Sequence, residues 1–126
     1  MLAPIITTDL ETWRMVIDTN LTGTFLTLKH AARAMVIAGG GSFVAISSIS
    51  AAVTHPYMTT YCVSKAGIEA LIAGAADELG RSGVRVNAVR PGMTPTELTA
   101  GVVDDPEIKA SYLSQMPLNE RLVDVE

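Results

Sequence analysis

Hydrophobic residues recur at helical spacing over the first third of the chain. They are Leu10, Trp13, Ile17, Leu21, Leu28 and Ala32, three, four or seven positions apart. Thr8 and Glu11 form a capping-box pattern at the start, and the glycines at 39–41 end the run. We therefore predict a helix over residues 8–37. We also expect a local kink near Asn20, because the polar residues and the glycine that follow it have low helix propensity.

Two short segments, residues 42–47 and 84–89, have the pattern of β-strands. The first is nearly continuous rather than alternating, which is typical of a parallel strand covered by helices on both faces. Between them, a second helical stripe predicts a helix over residues 60–80. Its members are Ile68, Leu71, Ile72, Ala75 and Leu79. The alternation of helices and strands indicates an α/β architecture with a parallel sheet.

The predicted sheet is small for its helices. Parallel sheets usually have about four to six strands with both faces covered, whereas the pattern predicts two strands. We therefore expect the chain to be part of a larger domain. After the second strand, we predict a loop and a short helix that begins at Asp105-Pro106-Glu107, with proline at the first helical position.

Composition narrows the possible classes of function. The 126 residues are 48% hydrophobic with a net charge of −4, which argues against a nucleic-acid partner. No apolar stretch is long enough to span a bilayer, and the first residues lack a signal peptide's basic segment, so we expect no membrane association. The single cysteine, Cys62, excludes an internal disulfide and a Cys-rich metal site. We expect a cytoplasmic protein without a bound metal.

A phenol and an ammonium group lie four positions apart in the second predicted helix. Tyr61 and Lys65 therefore share one helix face. Ser48 follows the preceding strand, at the sheet edge where open α/β sheets bind ligands. A phenol ionises only near about pH 10, and a fixed positive charge nearby favours the phenolate. The pattern predicts proton transfer at the Tyr61 oxygen, with Ser48 hydrogen-bonding a substrate oxygen.

Each of these features also has a purely structural explanation. A single Tyr-x-x-x-Lys pair is most often a surface contact on a helix. A serine after a strand is usually a turn or cap residue, and Asn20 alone is most often a tolerated polar break. Only the joint spacing of these residues favours a functional interpretation.

That joint spacing resembles the carboxyl-terminal half of the short-chain dehydrogenase/reductase family. Residues 20–25 match the family's N-x-x-G-x-F stretch, which contains its asparagine. Ser48 precedes Tyr61 by thirteen positions, and Lys65 follows Tyr61 by four, as in the family. Residues 86–96 match its V-N-x-x-x-P-G-x-x-x-T pattern.

The resemblance covers about residues 8–126 and implies a fold. It implies part of a Rossmann-like, doubly wound parallel sheet. The family's Gly-rich phosphate-binding βαβ units would precede residue 1, and its last helix and strand would follow residue 126. Residues 1–126 are thus expected to be the catalytic portion of a single, truncated domain. Alone, they are expected to bind a dinucleotide weakly or not at all.

The resemblance also implies an NAD or NADP cofactor and hydride transfer between a secondary alcohol and a ketone. Tyr61 would be the acid/base, and Lys65 would favour its ionised form and hydrogen-bond the nicotinamide ribose. Ser48 would position the substrate oxygen, and Asn20 would hold a water that links Lys65 to solvent. The implied cofactor contacts are Tyr61, Lys65, Pro91, Gly92, Thr94 and Thr96.

Substrate contacts are expected from Ser48, His55, Tyr57 and Met93, with residues 93–118 as a substrate loop or lid. For His55 the alternative is an exposed loop residue. Tyr57 is a rival phenol, but it has no lysine four positions later. The spacing of divergent enoyl reductases would place that lysine at position 64, where Ser64 stands. Tyr57 is therefore expected to be a pocket wall.

The expected partners are a small alcohol or ketone and further copies of the same chain. In the family, the two long helices form the contacts of homodimers or homotetramers. The substrate class extends over 3-oxoacyl, hydroxysteroid and sugar-alcohol compounds. Two alternatives stay open: an inert chain that acts as a binding or oligomerisation module, and a short-chain epimerase or dehydratase that uses NAD without net turnover.

Overall fold

The computed structural model describes residues 3–97 and 99–114. These residues divide into two compact units, the first ending at Arg90 and the second beginning at Pro91. The elements of the first unit are a 3-10 turn (Ile5–Thr7), α1 (Leu10–Ile17), a π-helical segment (Asp18–Thr22), α2 (Gly23–Ile37), β1 (Gly41–Ile46), a 3-10 turn (Ile49–Ala51), α3 (Thr59–Leu79), a 3-10 turn (Gly80–Ser82) and β2 (Val84–Val89). The second unit contains α4 (Ala100–Val103) and α5 (Pro106–Leu113).

The first predicted helix is confirmed, with a different cap. The Asp9 carboxylate accepts a hydrogen bond from the Thr12 amide at 2.7 Å, so Asp9 is the N-cap residue. The Thr8 hydroxyl instead donates to the Pro4 carbonyl at 2.9 Å, and the predicted capping box is wrong. A carboxylate is the favoured acceptor here, because its charge also interacts with the helix dipole. The expected irregularity at Asn20 is the π-helical segment.

The two strands pair in parallel over their whole length, from Gly41 opposite Val84 to Ile46 opposite Val89. The predicted bounds are confirmed for β2, and β1 begins and ends one residue earlier than predicted. The helix predicted over residues 60–80 is α3, shifted by one residue. Because β1 and β2 are parallel, the carboxyl ends of both strands lie at the same edge of the sheet, and α3 connects them.

Helices α2 and α3 pack on one face of this sheet and enclose the core. The buried apolar side chains are Leu28, Ala32, Ala45, Ile68, Ile72, Val84 and Val86. On the opposite face, Val44, Ile46 and Val89 are exposed in the part of the chain that the structure describes. The prediction that β1 is covered on both faces is therefore not met among these residues.

The second unit begins with a loop, and two short helices, α4 and α5, follow in its described part. The Asp105 carboxylate accepts from the Glu107 amide at 2.9 Å, which confirms the predicted start of a helix there. The sequence did not predict the separate short helix α4. Residues 98 and 115–118 of the predicted lid lie outside the described residues. No helix of the described ranges is long and apolar enough to cross a membrane.

Candidate active site

Helix α3 brings the two chemically most informative residues together. The Lys65 ammonium nitrogen lies 5.6 Å from the centre of the Tyr61 ring. This is within the range of a cation–π contact, and it follows from the four-residue spacing on one helix face. Both side chains are half-buried. The predicted proximity of the phenol and the ammonium is confirmed.

The Lys65 ammonium is fixed by the end of β1. Its Nζ donates a hydrogen bond to the Ile46 carbonyl at 3.0 Å. Burial lowers the pKa of Lys65, because a charged ammonium is less well solvated there than in water. An ammonium has three donor hydrogens, and within residues 3–97 and 99–114 the bond to the Ile46 carbonyl uses one of them. The group can therefore donate to further acceptors at this edge of the sheet.

The two serines after β1 have different partners. The buried Ser48 is the N-cap of the Ile49–Ala51 turn, and its Oγ accepts from the Ser50 amide at 3.1 Å. The Ser47 Oγ donates to Glu69 Oε1 at 2.8 Å and lies 3.3 Å from the Lys65 carbonyl. Ser47 therefore binds α3, whereas Ser48 keeps its hydroxyl hydrogen for another acceptor.

Asn20 lies in the π-helical segment and contacts α3. Its side-chain Nδ2 donates to the Ser64 Oγ at 3.0 Å. Its backbone carbonyl accepts from the Thr24 hydroxyl at 2.6 Å. Ser64 in turn donates to the Tyr61 carbonyl at 2.7 Å. The structure thus links Asn20 to the Tyr61 backbone through Ser64. The role of Asn20 in holding a water stays a prediction.

Ser64 is a residue that the sequence reasoning missed as part of the site. A signal was present, since Ser64, Ile68 and Ile72 follow one another at four-residue spacing on the buried face of α3. A polar residue on such a stripe needs a hydrogen-bond partner inside the protein. Since the apolar neighbours of Ser64 on this stripe cannot bond its hydroxyl, the sequence indicates that part of its bonding comes from another element.

A second missed group joins both strand ends to α3. The Arg90 guanidinium, directly after β2, forms a two-pronged ion pair with the Glu69 carboxylate, which also accepts from Ser47. The hydrogen bonds from Arg90 are the main reason why the pKa of Glu69 is below its usual value. The same pairing raises the pKa of Arg90.

This ion pair predicts a pH-dependent contribution to stability. The Glu69 carboxylate has a lower pKa in the folded state, so its contribution is complete above the usual carboxyl range and is lost as the pH falls below about 4. Glu69→Gln is expected to lower the melting temperature at pH 7 by at most a few degrees, because the pair is partly exposed. The difference from the unmodified protein should shrink on acidification. Thermal unfolding from pH 7 to pH 3 measures it.

Glu78→Gln is the matched control, since Glu78 is an exposed carboxylate on the same helix. It should leave the melting temperature almost unchanged at every pH. A Glu69→Gln difference that stays constant from pH 7 to pH 3 would contradict the electrostatic explanation.

The predicted substrate residues of the first unit lie in the loop before α3. His55 is half-buried, and its carbonyl accepts from the Met58 amide at 3.2 Å. Tyr57 is exposed and has a left-handed backbone with φ 66°, and its carbonyl accepts from the Ala3 amide at 3.0 Å. Neither contact bears on substrate, so both roles stay predictions.

The remaining predicted residues begin the second unit. Pro91, Gly92, Met93 and Thr94 are half-buried, and Thr96 is exposed. The hydroxyl of Thr99 donates to the Thr94 carbonyl at 2.7 Å and accepts from the Thr96 amide at 2.9 Å, which orders this loop. Their predicted contacts with a cofactor and a substrate stay predictions.

Comparison with known proteins places this geometry in a family. The family model described as enoyl-(acyl carrier protein) reductase matches residues 1–126. The chain is 41% identical over 116 residues to cis-4-hydroxycyclohexanecarboxylate dehydrogenase of Sinomonas cyclohexanicum. The aligned region covers 92% of this chain and 46% of the relative. It is 43% identical over 109 residues to (3R)-3-hydroxyacyl-CoA dehydrogenase of Mus musculus, covering 86% and 41%. The chain thus spans less than half of the length of these curated relatives.

Solved structures agree with this assignment. A short-chain type dehydrogenase/reductase from Mycobacterium ulcerans is 47% identical with a TM-score of 0.94, over 99% of this chain and 45% of the other. A gluconate 5-dehydrogenase from Burkholderia cenocepacia J2315, in complex with NADP and tartrate, is 26% identical with a TM-score of 0.91, over 98% and 48%. The fold is therefore part of a Rossmann-like α/β fold. The chain belongs to the short-chain dehydrogenase/reductase family.

Proposed function

We propose that the natural protein carrying these residues is an NAD(P)-dependent oxidoreductase that interconverts a secondary alcohol and a ketone. The observation that carries this proposal is the Lys65 ammonium, 5.6 Å from the Tyr61 ring and held at the end of β1. The relatives named above as dehydrogenases support the same reaction class. Their names include a cyclic hydroxy acid, an acyl thioester and a sugar acid among the substrates, so the proposal is limited to the alcohol/ketone pair.

The residues fit the nicotinamide ribose of a dinucleotide. Ribose offers two neighbouring hydroxyl groups, which accept hydrogen bonds from an ammonium and a phenol. Lys65 is half-buried, and the described contacts use one of its three donor hydrogens. We place the ribose at Lys65 and Tyr61, and the nicotinamide beside Pro91, Gly92, Thr94 and Thr96. When bound, the cofactor supplies or accepts the hydride.

Tyr61 transfers the proton in this proposal. In the reductive direction its hydroxyl donates a proton to the substrate oxygen, and in the oxidative direction the phenolate accepts it. The Lys65 ammonium near the Tyr61 ring interacts favourably with the negative charge that develops on the phenol oxygen during this transfer.

The other residues orient the substrate and the proton path. Ser48 has a hydroxyl hydrogen that its contact with the Ser50 amide does not use, and we propose that it donates to the substrate oxygen. Asn20 holds a water on the path from Lys65 to solvent. His55, Tyr57 and Met93 contact the rest of the substrate, with residues 93–118 as the lid.

We also propose that residues 1–126 are the catalytic portion of a single domain in a cytoplasmic homodimer or homotetramer. Exposed apolar side chains on α2 and α3 support an interface there. They are Phe25, Leu26, Val36 and Val63. Burial of such side chains against a second copy is a common way to remove apolar surface from water.

A cofactor-consumption assay tests the proposed function. The natural protein is expected to oxidise one NADH or NADPH for each ketone reduced, measured by absorbance with a panel of 3-oxoacyl thioesters, cyclic ketones and keto sugars. Conversion of a substrate without net oxidation of the reduced cofactor would indicate an epimerase or dehydratase. Turnover of an enoyl thioester in place of every ketone would also contradict the proposal. Absence of both binding and turnover would favour an inert module, and fluorescence titration with the reduced cofactor detects the binding.

A further inference from the structure

Ser64 has an unusual environment for a polar residue. Its side chain has 0% exposure and lies on α3 between Tyr61 and Lys65. A buried hydroxyl without partners would destabilise the fold. Ser64 is fully bonded, however, since it contacts both the Tyr61 carbonyl and the Asn20 side chain. Its two partners belong to residues that the proposed function uses.

The direction of these two hydrogen bonds fixes the orientation of Asn20. A carbonyl can only accept, so the single hydroxyl hydrogen of Ser64 goes to the Tyr61 carbonyl at 2.7 Å. Ser64 can then only accept from Asn20, at 3.0 Å, and the amide nitrogen rather than the amide oxygen must face it. The Asn20 oxygen is consequently directed away from Ser64. One buried hydroxyl thus selects one of the two amide orientations.

The backbone around this contact permits the close approach that it needs. A Cβ at Gly67 would lie 2.8 Å from the Leu21 Cδ2, so the Leu21 side chain packs closely over this glycine and would have to move if a side chain were added there. The Thr24 hydroxyl donates a hydrogen bond to the backbone carbonyl of Asn20 at 2.6 Å. Both the backbone carbonyl and the side chain of Asn20 are therefore hydrogen-bonded, the side chain to α3.

We propose that Ser64 is a positioning residue that sets the orientation of the Asn20 amide and couples it to the backbone of Tyr61. The proposal rests on the proposed function, in which Asn20 holds a water on the proton path. Ser64 touches neither substrate nor cofactor in this proposal. It acts through Asn20 alone.

Ser64→Ala in the natural protein tests the proposal. The variant removes the acceptor, and kcat is expected to fall about tenfold with a change in its pH profile, while the affinity for reduced cofactor stays within about twofold. In an Asn20→Ala background, Ser64→Ala should lower kcat by less than about twofold, because both changes break the same connection. Multiplicative losses in the double variant would overturn the proposal.

Cys62→Ala is the matched control, since Cys62 is also buried on α3 and also loses one heavy atom. Its kcat should stay within about twofold of the unmodified protein. If Ser64→Ala does not fold, Ser64→Cys keeps a side chain of similar size with a weaker acceptor, and the same result is expected.

A neutron crystal structure of the Ser64→Ala variant, which distinguishes the amide nitrogen from the amide oxygen, separates this proposal from the proposed function. The Asn20 amide should be rotated or present in two orientations, whether or not the protein turns over a ketone. An unchanged Asn20 orientation would overturn the proposal even in an active enzyme. Absence of ketone reduction by the unmodified protein would overturn the proposed function instead.

Discussion

Tyr61→Phe is expected to lower kcat by about 10²- to 10⁴-fold, because it removes the hydroxyl that transfers a proton to or from the substrate oxygen in the proposed reaction. The aromatic ring and its contact with the Lys65 ammonium are kept. Cofactor affinity should fall by at most about tenfold, because one hydrogen bond to the ribose is lost while the Lys65 ammonium is kept. Steady-state kinetics with a ketone substrate measure the loss, and fluorescence titration with reduced cofactor measures the affinity.

Tyr57→Phe provides the comparison for this variant. It deletes the same hydroxyl from the rival phenol, which is exposed and lacks a lysine four positions later. Its kcat should fall by less than about threefold, although KM can change if Tyr57 contacts substrate. Wild-type kcat in Tyr61→Phe, or equal losses in the two variants, would remove Tyr61 from the role of acid/base.

Ile68→Ala is expected to have the largest effect on stability. Ile68 is 1% exposed at the centre of the core between α2, α3 and the sheet. Truncation of such a side chain removes apolar contacts and leaves a cavity, which together destabilise a protein by about 2–5 kcal/mol. The denaturation midpoint in urea, measured on the natural protein at fixed concentration, should fall accordingly.

Ile37→Ala is the control, because it makes the same truncation at a side chain that is 80% exposed at the end of α2. Its midpoint should correspond to a loss of no more than about 0.5 kcal/mol. Equal shifts in the two variants would mean that Ile68 is not part of a packed core.

Local patterns were sufficient to predict the elements. The spacing of apolar residues predicted α3 and the helical region that contains Asn20. The strand pattern at 84–89 predicted β2 with the correct bounds. The ends of the helices were harder to predict, because Thr8 and Asp9 are both good N-cap residues for α1. Sequence alone does not state which of two adjacent polar side chains takes the helix amide.

Contacts between elements were the part that local patterns could not predict. The Asn20–Ser64 hydrogen bond joins residues 44 positions apart and depends on how α3 is rotated against the π-helical segment. The Glu69–Arg90 pair similarly requires the end of β2 to lie beside α3. The Tyr61–Lys65 contact was predictable, because it is made within one helix.

The two-stranded sheet has a consequence for handling these residues as a separate polypeptide. In the described part, β1 and β2 pair only with each other, so each strand keeps one row of backbone amide and carbonyl groups along its outer edge. Such open edges are templates for adding strands from other molecules. Strand addition between molecules would compete with folding at high concentration, and adjoining polypeptide that caps both edges would suppress aggregation.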